Sequence, residues 1–120
     1  MTKSNRHKVL VANRGEIAMR IIQACRKLGL DFVCVHTKED HASGHLALAR
    51  ELGGQDFRIS SYHDANELMA VADHSGATAI HPGYGYFAED YRFARRVSER
   101  TRPIIWIGPS WQVIRTLGDM

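Results

Sequence analysis

Short apolar runs alternate with helix-like segments along nearly the whole chain. The strand-like runs lie at 8–13, 32–36, 56–60, 77–81 and 103–107. The helical segments lie at about 15–28, 43–52, 64–72 and 88–99, and from 109 onward; Gly29 marks the end of the first, and Asp64 is the expected N-cap of the third. This alternation predicts right-handed βαβ crossovers and a parallel sheet covered on both faces. The expected fold is an α/β sheet of about five parallel strands.

The first predicted helix has an apolar and a polar face. The apolar positions, which should be buried, are Ile17, Ile21, Cys25 and Leu28. The polar positions follow the same spacing and are Glu16, Arg20, Gln23 and Lys27. Glu16 and Arg20 are spaced for an i,i+4 ion pair worth roughly a few tenths of a kcal/mol. The polar face is either solvated or part of a subunit interface.

Two loops at the carboxyl ends of predicted strands are the best candidates for ligand contact, because ligands gather at that edge of parallel sheets. The first loop is Asn13-Arg14-Gly15-Glu16, and its glycine would let backbone amides approach an anion at a helix N-terminus. However, the dinucleotide fingerprint is absent and Glu16 would repel phosphate. Asn13, Arg14 and Gly15 are therefore a weak candidate phosphate loop beside a purely structural interpretation.

The second loop, 81–85, has the sequence His-Pro-Gly-Tyr-Gly. Gly83 and Gly85 free the backbone to turn tightly around Tyr84. A tyrosine held there can stack on a flat ligand while its hydroxyl stays polar. A structural turn with a packed tyrosine explains the same residues equally well.

The net charge of +3 is distributed unevenly. Lys3, Arg6 and Lys8 precede the first acidic residue and account for the excess, and residues 1–7 are expected to form a flexible basic tail. A second local excess consists of Arg92, Arg95, Arg96, Arg100 and Arg102 against Glu99. A solvated or subunit-facing helix surface is the preferred interpretation, and phosphate binding is the alternative.

Other sequence features limit the classes of function. No apolar run is long enough to span a membrane, and the N-terminus lacks the apolar core of a secretory signal, so a cytoplasmic protein is expected. Cys25 and Cys34 should be small buried residues in a reducing compartment. His41 and His45 lack the neighbours that would complete a metal site. No P-loop or nucleophile elbow is present, so no residue set for unaided catalysis emerges.

Several motifs, in order along the chain, resemble those of the biotin carboxylase N-terminal domain. They are the segment 8–22, Asp40 with Ser43 and His45, Ser61-Tyr62, the segment 79–86, and the segments 107–110 and 117–119. The resemblance covers nearly all of 8–120 and implies a Rossmann-like pre-ATP-grasp domain. In this family, ATP and bicarbonate form carboxyphosphate, and carbon dioxide is passed to biotin on a carrier protein. The family's ATP-grasp and C-terminal domains are not among these 120 residues.

The resemblance assigns cleft residues to the second loop. Gly83, Tyr84 and Gly85 would form one wall of the biotin cleft, with His81 and Glu89 supporting the loop. No catalytic or metal-binding residue is expected within this chain alone, which is expected to be inactive. ATP, Mg²⁺ and biotin belong to the complete enzyme, and none is expected to bind this chain alone.

The resemblance also implies partners. They are the ATP-grasp and C-terminal portion, a biotin carboxyl carrier protein and a carboxyltransferase, as in acetyl-CoA, propionyl-CoA and pyruvate carboxylases. A homodimer would use a face formed by Arg20, Gln23 and Lys27. Neither nucleic acid nor a membrane is expected as a partner.

Five single positions depart from the family pattern, and the stretch from Glu51 to Ser60 is altered as well. Met120 stands in place of an ATP-binding lysine, Arg50 in place of aspartate, and Lys27 in place of an acidic residue, while Ala88 and Asp90 replace serine and asparagine. These departures keep an alternative open, a non-catalytic interaction or regulatory module with the same fold. A pre-ATP-grasp domain from a carbamoyl-phosphate or urea-carboxylating ligase is a third, weaker interpretation.

Overall fold

The computed structural model describes residues 7–40, 42–83, 85–102 and 104–118, and its five parallel strands have the order β3-β2-β1-β4-β5. The strands are β1 Lys8–Val11, β2 Asp31–His36, β3 Gln55–Arg58, β4 Ala79–His81 and β5 Ile105–Trp106. The helices are α1 Gly15–Lys27, α2 Gly44–Glu51, α3 Ala65–Ser75, α4 Tyr91–Ser98 and α5 Trp111–Gly118, with 3-10 turns at Lys38–Asp40 and Tyr86–Glu89. The expected parallel α/β sheet is confirmed. Predictions for His41, Tyr84, Met120 and the segment 1–6 lie outside the described residues.

The sheet buries apolar side chains on both faces. Val9 and Val11 of β1 join a cluster with side chains from α1 and α2, including Ala18, Ile21, Ile22, Leu46 and Ala49. Leu10 and Ala12 join a second cluster with side chains from α3 and α4, including Leu68, Met69, Ala72, Phe93 and Val97. Successive residues of a strand point to opposite faces, so β1 serves both layers. The prediction of helices on both faces is confirmed.

The ends of two helices follow the local sequence signals. Asp64 Oδ1 accepts a hydrogen bond of 3.0 Å from the amide of Glu67, which confirms the predicted N-cap. Gly29 follows α1 with φ +71, and its amide donates to the carbonyl of Arg26. Glycine adopts this left-handed conformation without a Cβ penalty, so the predicted end of the first helix is also confirmed.

The predicted helix at 88–99 is wrong at its start. Tyr86–Glu89 forms a 3-10 turn, and Asp90 has an extended backbone with φ −98 and ψ 99. Asp90 Oδ1 accepts hydrogen bonds from the amides of Arg92, at 3.0 Å, and Phe93, at 3.3 Å. Because these open amides of a first turn are satisfied by Asp90, α4 begins only after it.

One apolar position of α1 also contradicts its prediction. Leu28 is 73% exposed, although helical spacing placed it on the buried face. α1 ends at Lys27, and Leu28 is its C-cap, so the helical phase no longer applies there. Ile21 and Cys25 are buried and Ile17 is partly buried, as the periodicity predicted.

Both cysteines are buried free thiols, as expected for small core residues. Burial raises the pKa of Cys34 to about 12, so this thiol stays protonated and unreactive. Within the described part of the chain, no helix is both long enough and apolar enough to cross a membrane.

Candidate functional site

The two loops predicted from the sequence meet at the carboxyl edge of the sheet. β1 and β4 are neighbours in the sheet, and the connections after them run to helices on opposite faces. In open α/β sheets the ligand crevice lies outside the strands at such a switch point. The buried Asn13 joins the loops, since its Nδ2 donates to the carbonyl of Pro82 at 2.9 Å and its Oδ1 accepts from the Arg14 amide at 2.8 Å.

The loop after β4 turns on two glycines with left-handed backbones. Gly83 has φ +70 and Gly85 has φ +75, and these two glycines flank Tyr84 in the sequence. The amide of Gly83 donates to His81 Nδ1 at 3.0 Å, so this nitrogen acts as an acceptor. Burial lowers the pKa of His81, which favours the neutral ring that this contact requires. His81 therefore holds the start of the loop in place.

Tyr86 holds the other end of the same loop. It is a non-glycine residue with positive φ, +47, a conformation that costs free energy and persists only where surrounding contacts fix it. Its ring centroid lies 5.2 Å from that of Tyr62 and 5.1 Å from that of His63. These aromatic contacts tie the end of the loop to the segment that follows β3.

Tyr62 in turn is anchored by the buried carboxylate of Asp40. The Tyr62 hydroxyl donates to Asp40 Oδ2 at 2.7 Å, and the amide and hydroxyl of Thr37 donate to the same oxygen at 3.1 and 3.0 Å. Arg14 Nε donates to Asp40 Oδ1 at 2.9 Å, and Arg14 Nη2 contacts that oxygen as well. Burial pushes the pKa of Asp40 upward, but the hydrogen bonds from Arg14, Tyr62 and Thr37 together outweigh it and lower the pKa.

His45 connects this network to the start of α1. Its Nε2 donates to the carbonyl of Val35 at 3.0 Å, and because a carbonyl only accepts, Nε2 carries the hydrogen. Nδ1 is then an acceptor for the amide of Gly15, at 3.2 Å, and lies 2.9 Å from the hydroxyl of Ser43. His45 is fully buried, and burial lowers its pKa despite the carbonyl contact. The neutral ring therefore caps the first turn of α1.

These contacts bear on the weak phosphate hypothesis for the loop after β1. The side chain of Asn13 bonds Pro82, the guanidinium of Arg14 bonds Asp40, and the amide of Gly15 bonds His45. An anion at this helix N-terminus would have to replace protein partners that already satisfy the same donors. The geometry thus favours the structural interpretation of this loop.

The sequence matches a known protein family over most of its length. Residues 5–114 match the family described as "Biotin carboxylase, N-terminal domain". The chain belongs to this family.

Similar proteins include complete carboxylase components. The chain is 46% identical over 114 residues to a biotin carboxylase of Pseudomonas aeruginosa, covering 93% of this chain and 25% of that protein. It is 50% identical over 115 residues to the biotin-dependent acyl-coenzyme A carboxylase alpha3 subunit of Mycobacterium leprae, covering 93% of this chain and 19% of that protein. The chain therefore spans a quarter or less of the length of these relatives.

Solved structures of the family share the fold. The biotin carboxylase domain of a thermophilic 2-oxoglutarate carboxylase bound to bicarbonate has a TM-score of 0.83 and 40% identity, covering 93% of this chain and 25% of that one. A complete multifunctional pyruvate carboxylase from Rhizobium etli has a TM-score of 0.82 and 36% identity, covering 94% of this chain and 12% of that one. A Rossmann-like biotin carboxylase N-terminal domain is thus confirmed.

The structure brings some of the cleft residues predicted for this biotin carboxylase domain together and leaves one apart. His81, Gly83 and Gly85 lie in one loop at the carboxyl edge of the sheet. Glu89 is exposed at the end of the following 3-10 turn, and its side chain has no hydrogen-bond or ion-pair partner among the described residues. A supporting role for Glu89 thus rests on the family resemblance alone.

The predicted dimer residues do share a surface. Arg20, Gln23 and Lys27 line a groove between α1 and α2, whose floor includes Leu48 and Leu52. Glu16 and Arg20 form the expected i,i+4 ion pair, with Arg20 Nε 3.3 Å from Glu16 Oε1. Both side chains are largely exposed, so this pair adds little stability and remains available to a partner.

Sequence reasoning missed the anchoring contacts of the loop. Thr37 and Tyr86 were not singled out, Asp40 and Tyr62 were named only as parts of family motifs, and His45 was considered besides only as a metal ligand. No local signal identifies Tyr86, because a non-glycine residue with positive φ is uncommon and is fixed by tertiary contacts rather than by its neighbour in the sequence.

Two departures from the biotin carboxylase family pattern have clear structural roles. Arg50 lies across from β3, and its Nε and Nη2 donate to the carboxylate of Asp56, each at 3.3 Å. Asp56 also contacts His36 Nε2 at 3.0 Å, so Arg50 extends a local polar cluster on the sheet edge. Asp90 caps α4, as described above. Ala88 is partly buried and shows no comparable contact within the described ranges.

Proposed function

We propose that this chain supplies the N-terminal domain of an ATP-dependent biotin carboxylase. It would form one wall of the cleft where carbon dioxide derived from bicarbonate is transferred to carrier-bound biotin. The observation that carries the proposal is the placement of the loop 81–85 at the switch point of the sheet, fixed by His81 and Tyr86 at its two ends. Membership in the biotin carboxylase family supports the reaction class.

The chemistry of the loop fits a flat, neutral ring better than an anion. Gly83 and Gly85 carry no side chain, and a Cβ at Gly85 would meet no atom within 4 Å, so the backbone at Gly85 is open. Tyr84 would supply an aromatic face to the bicyclic ring of biotin. The remaining polar groups near the loop bond one another, so this chain positions a substrate and the complete enzyme supplies ATP, Mg²⁺ and the catalytic groups. The isolated chain is therefore expected to be inactive.

Replacing Tyr84 with alanine should weaken the use of biotin without unfolding the chain. In an enzyme reconstituted from this chain and the ATP-grasp and C-terminal portion, we expect kcat/KM for free biotin to fall about fivefold, since an aromatic contact contributes on the order of 1 kcal/mol. Biotin-dependent ATP hydrolysis measures the effect, and Tyr84→Phe is the matched control that keeps the ring.

Two outcomes would count against these assignments. Unchanged biotin kinetics in Tyr84→Ala would remove the proposed role of Tyr84 while leaving the family function intact. A reconstituted mixture without any bicarbonate-dependent ATP turnover would contradict the proposed function itself.

We further propose that the polar face of α1 forms a homodimer contact. Glu16, Arg20, Gln23 and Lys27 follow spacings of four, three and four residues on one exposed face. A two-fold axis that passes between Arg20 and Gln23 would place Arg20 of one copy opposite Gln23 of the other. Antiparallel α1 helices would then place Glu16 opposite Lys27 of the second copy, which gives Lys27 a partner of opposite charge.

Exchanging these charges tests the contact. Glu16→Lys and Lys27→Glu should each weaken dimerisation by at least roughly tenfold, because like charges would face each other across the axis. The double variant Glu16→Lys/Lys27→Glu should restore it. Sedimentation equilibrium of the full chain provides the dimer dissociation constant; single and double variants with the same constant would contradict the pairing.

A non-catalytic interaction module is the second candidate, and the groove between α1 and α2 favours it. Exposed side chains around an apolar floor, including Leu48 and Leu52, suit protein binding whether or not a complete enzyme is assembled. The reconstitution above separates the candidates, because an interaction module would bind without supporting ATP turnover.

The proposed enzyme assigns further partners and a compartment. A biotin carboxyl carrier protein would bring biotin to the cleft, and a carboxyltransferase would use the carboxylated product. The buried free thiols of Cys25 and Cys34 agree with a reducing compartment, which supports a cytoplasmic location.

A further inference from the structure

α4 and α5 are joined by two reciprocal contacts between arginine and an aromatic ring. Arg95 Cζ lies 4.7 Å from the ring centroid of Trp111, and Arg115 Cζ lies 5.6 Å from that of Tyr91. The two α4 residues meet the two α5 residues in reverse order, so the helices run antiparallel. Each cation–π contact fixes the position of a guanidinium on the surface.

Several arginines of this region are already neutralised by carboxylates. Asp73 bonds both Arg100 and Arg102, with 3.0 Å to Arg102 Nη2. Arg95 Nε lies 2.9 and 3.2 Å from the two carboxylate oxygens of Glu99. Arg95, Arg100 and Arg102, which belong to the arginine excess noted in the sequence, therefore form ion pairs within the domain.

Three other arginines are exposed and have no carboxylate partner among the described residues: Arg92, Arg96 and Arg115. Arg92 and Arg96 are four residues apart and share the solvent face of α4, opposite the buried Phe93 and Val97. Arg92 Cζ and Arg115 Cζ both lie within 5.7 Å of the Tyr91 ring centroid, so both guanidinium groups contact the same ring. We call this group the arginine surface.

We propose that the arginine surface binds an acidic segment of a partner protein. Guanidinium groups form paired hydrogen bonds with carboxylates, and charges that repel one another gain most from an opposite charge. A helix or loop with acidic residues about one helical turn apart would match Arg92 and Arg96. The proposal is independent of the biotin carboxylase function proposed above.

Features of the arginine surface favour an acidic protein over nucleic acid. Arg92 and Arg115 already lie over the ring of Tyr91, and Arg95 lies over the ring of Trp111. Neither aromatic ring is therefore open for a nucleic-acid base to stack on. The exposed Glu99 directly follows α4, accepts a hydrogen bond from Arg95, and would repel a continuous phosphate backbone. The carboxylates of an acidic protein segment are separate groups and can bind away from Glu99.

Binding of a fluorescein-labelled hexaglutamate peptide to the full chain tests the proposal by fluorescence anisotropy at low salt. The variant Arg92→Gln/Arg96→Gln/Arg115→Gln should bind at least about tenfold more weakly, as expected when several charge-assisted contacts are lost. The matched control Arg26→Gln/Lys38→Gln/Arg58→Gln removes the same number of exposed positive charges elsewhere and should bind as the unmodified chain does.

The double variant Arg92→Gln/Arg96→Gln keeps the contact of Arg115 with Tyr91 and guards against misfolding of α5. It should still weaken binding severalfold, and circular dichroism should match that of the unmodified chain. Equal weakening in the matched control would overturn the proposal, because binding would then reflect net charge alone. Tighter binding of a labelled oligothymidylate than of the peptide would overturn the choice of partner.

Discussion

Replacing Asp40 with alanine should lower the free energy of unfolding by about 3–5 kcal/mol, because a buried partner of a charge pair and of several hydrogen bonds is removed. The carboxylate is fully buried and accepts from Arg14, Thr37 and Tyr62. In its absence, the Thr37 amide and hydroxyl lose their acceptor inside the protein. Urea denaturation followed by circular dichroism measures the loss.

Asp73→Ala is the matched control for Asp40→Ala. Asp73 also bonds arginines, but its side chain is 51% exposed, so solvent screens the contacts and the loss should stay below about 1 kcal/mol. If Asp40→Ala cost no more than Asp73→Ala, the buried network would not stabilise the fold as described.

The Asp40 carboxylate also determines how the free energy of unfolding changes at low pH. The folded state lowers the pKa of Asp40 below that of the unfolded chain, which is about 3.9. A lowered pKa contributes stability that is fully present above the unfolded value and is lost as the pH falls below it. The difference in unfolding free energy between the unmodified chain and Asp40→Ala should therefore shrink when both are measured below pH 4.

Gly83→Ala should be the most damaging small change in the loop after β4. The backbone at φ +70 costs a residue with a Cβ about 1–2 kcal/mol. In addition, the new Cβ would lie 2.8 Å from both Asn13 Nδ2 and Ile17 Cγ2, and overpacking of this kind costs about 1–3 kcal/mol. The clash falls on the side chain that joins the two loops, so the site should shift as well as lose stability.

Gly85→Ala is the control that measures the cost of the left-handed backbone without a steric clash of the new Cβ. Gly85 has a similar backbone, φ +75, but its Cβ would meet no atom within 4 Å. Only the backbone cost should remain, about 1–2 kcal/mol. Equal midpoints of thermal unfolding for the two variants would show that the contact of Gly83 with Asn13 does not constrain the loop.

The sequence was sufficient to predict the order of elements and the edge of the sheet at which the two candidate loops lie. Apolar runs and helical periodicity predicted all five strands. The chain switches from one face of the sheet to the other between β1 and β4, and this switch leaves the two candidate loops at one edge. The start of α4 was missed because the apolar spacing of Phe93 and Val97 can be extended backward in a helix. The capping chemistry of Asp90 overrides that spacing.

The contacts that hold the site could not be predicted in the same way. Asp40 and Tyr62 are separated by 22 residues and Gly15 and His45 by 30, and nothing local identifies these partners. Periodicity reports which face of an element is buried, whereas a buried polar side chain finds its partner through the tertiary fold. The family motifs indicated which residues to examine but not which atoms they join.

The sheet order has a consequence for how the chain behaves at high concentration. β3 and β5 are the two edge strands, and unpaired edges are templates for aggregation. β5 spans only two residues, and β3 carries the exposed Gln55 and the exposed charge of Arg58. One edge is too short and the other too polar to recruit a further strand, so intermolecular β-sheet growth is disfavoured at both.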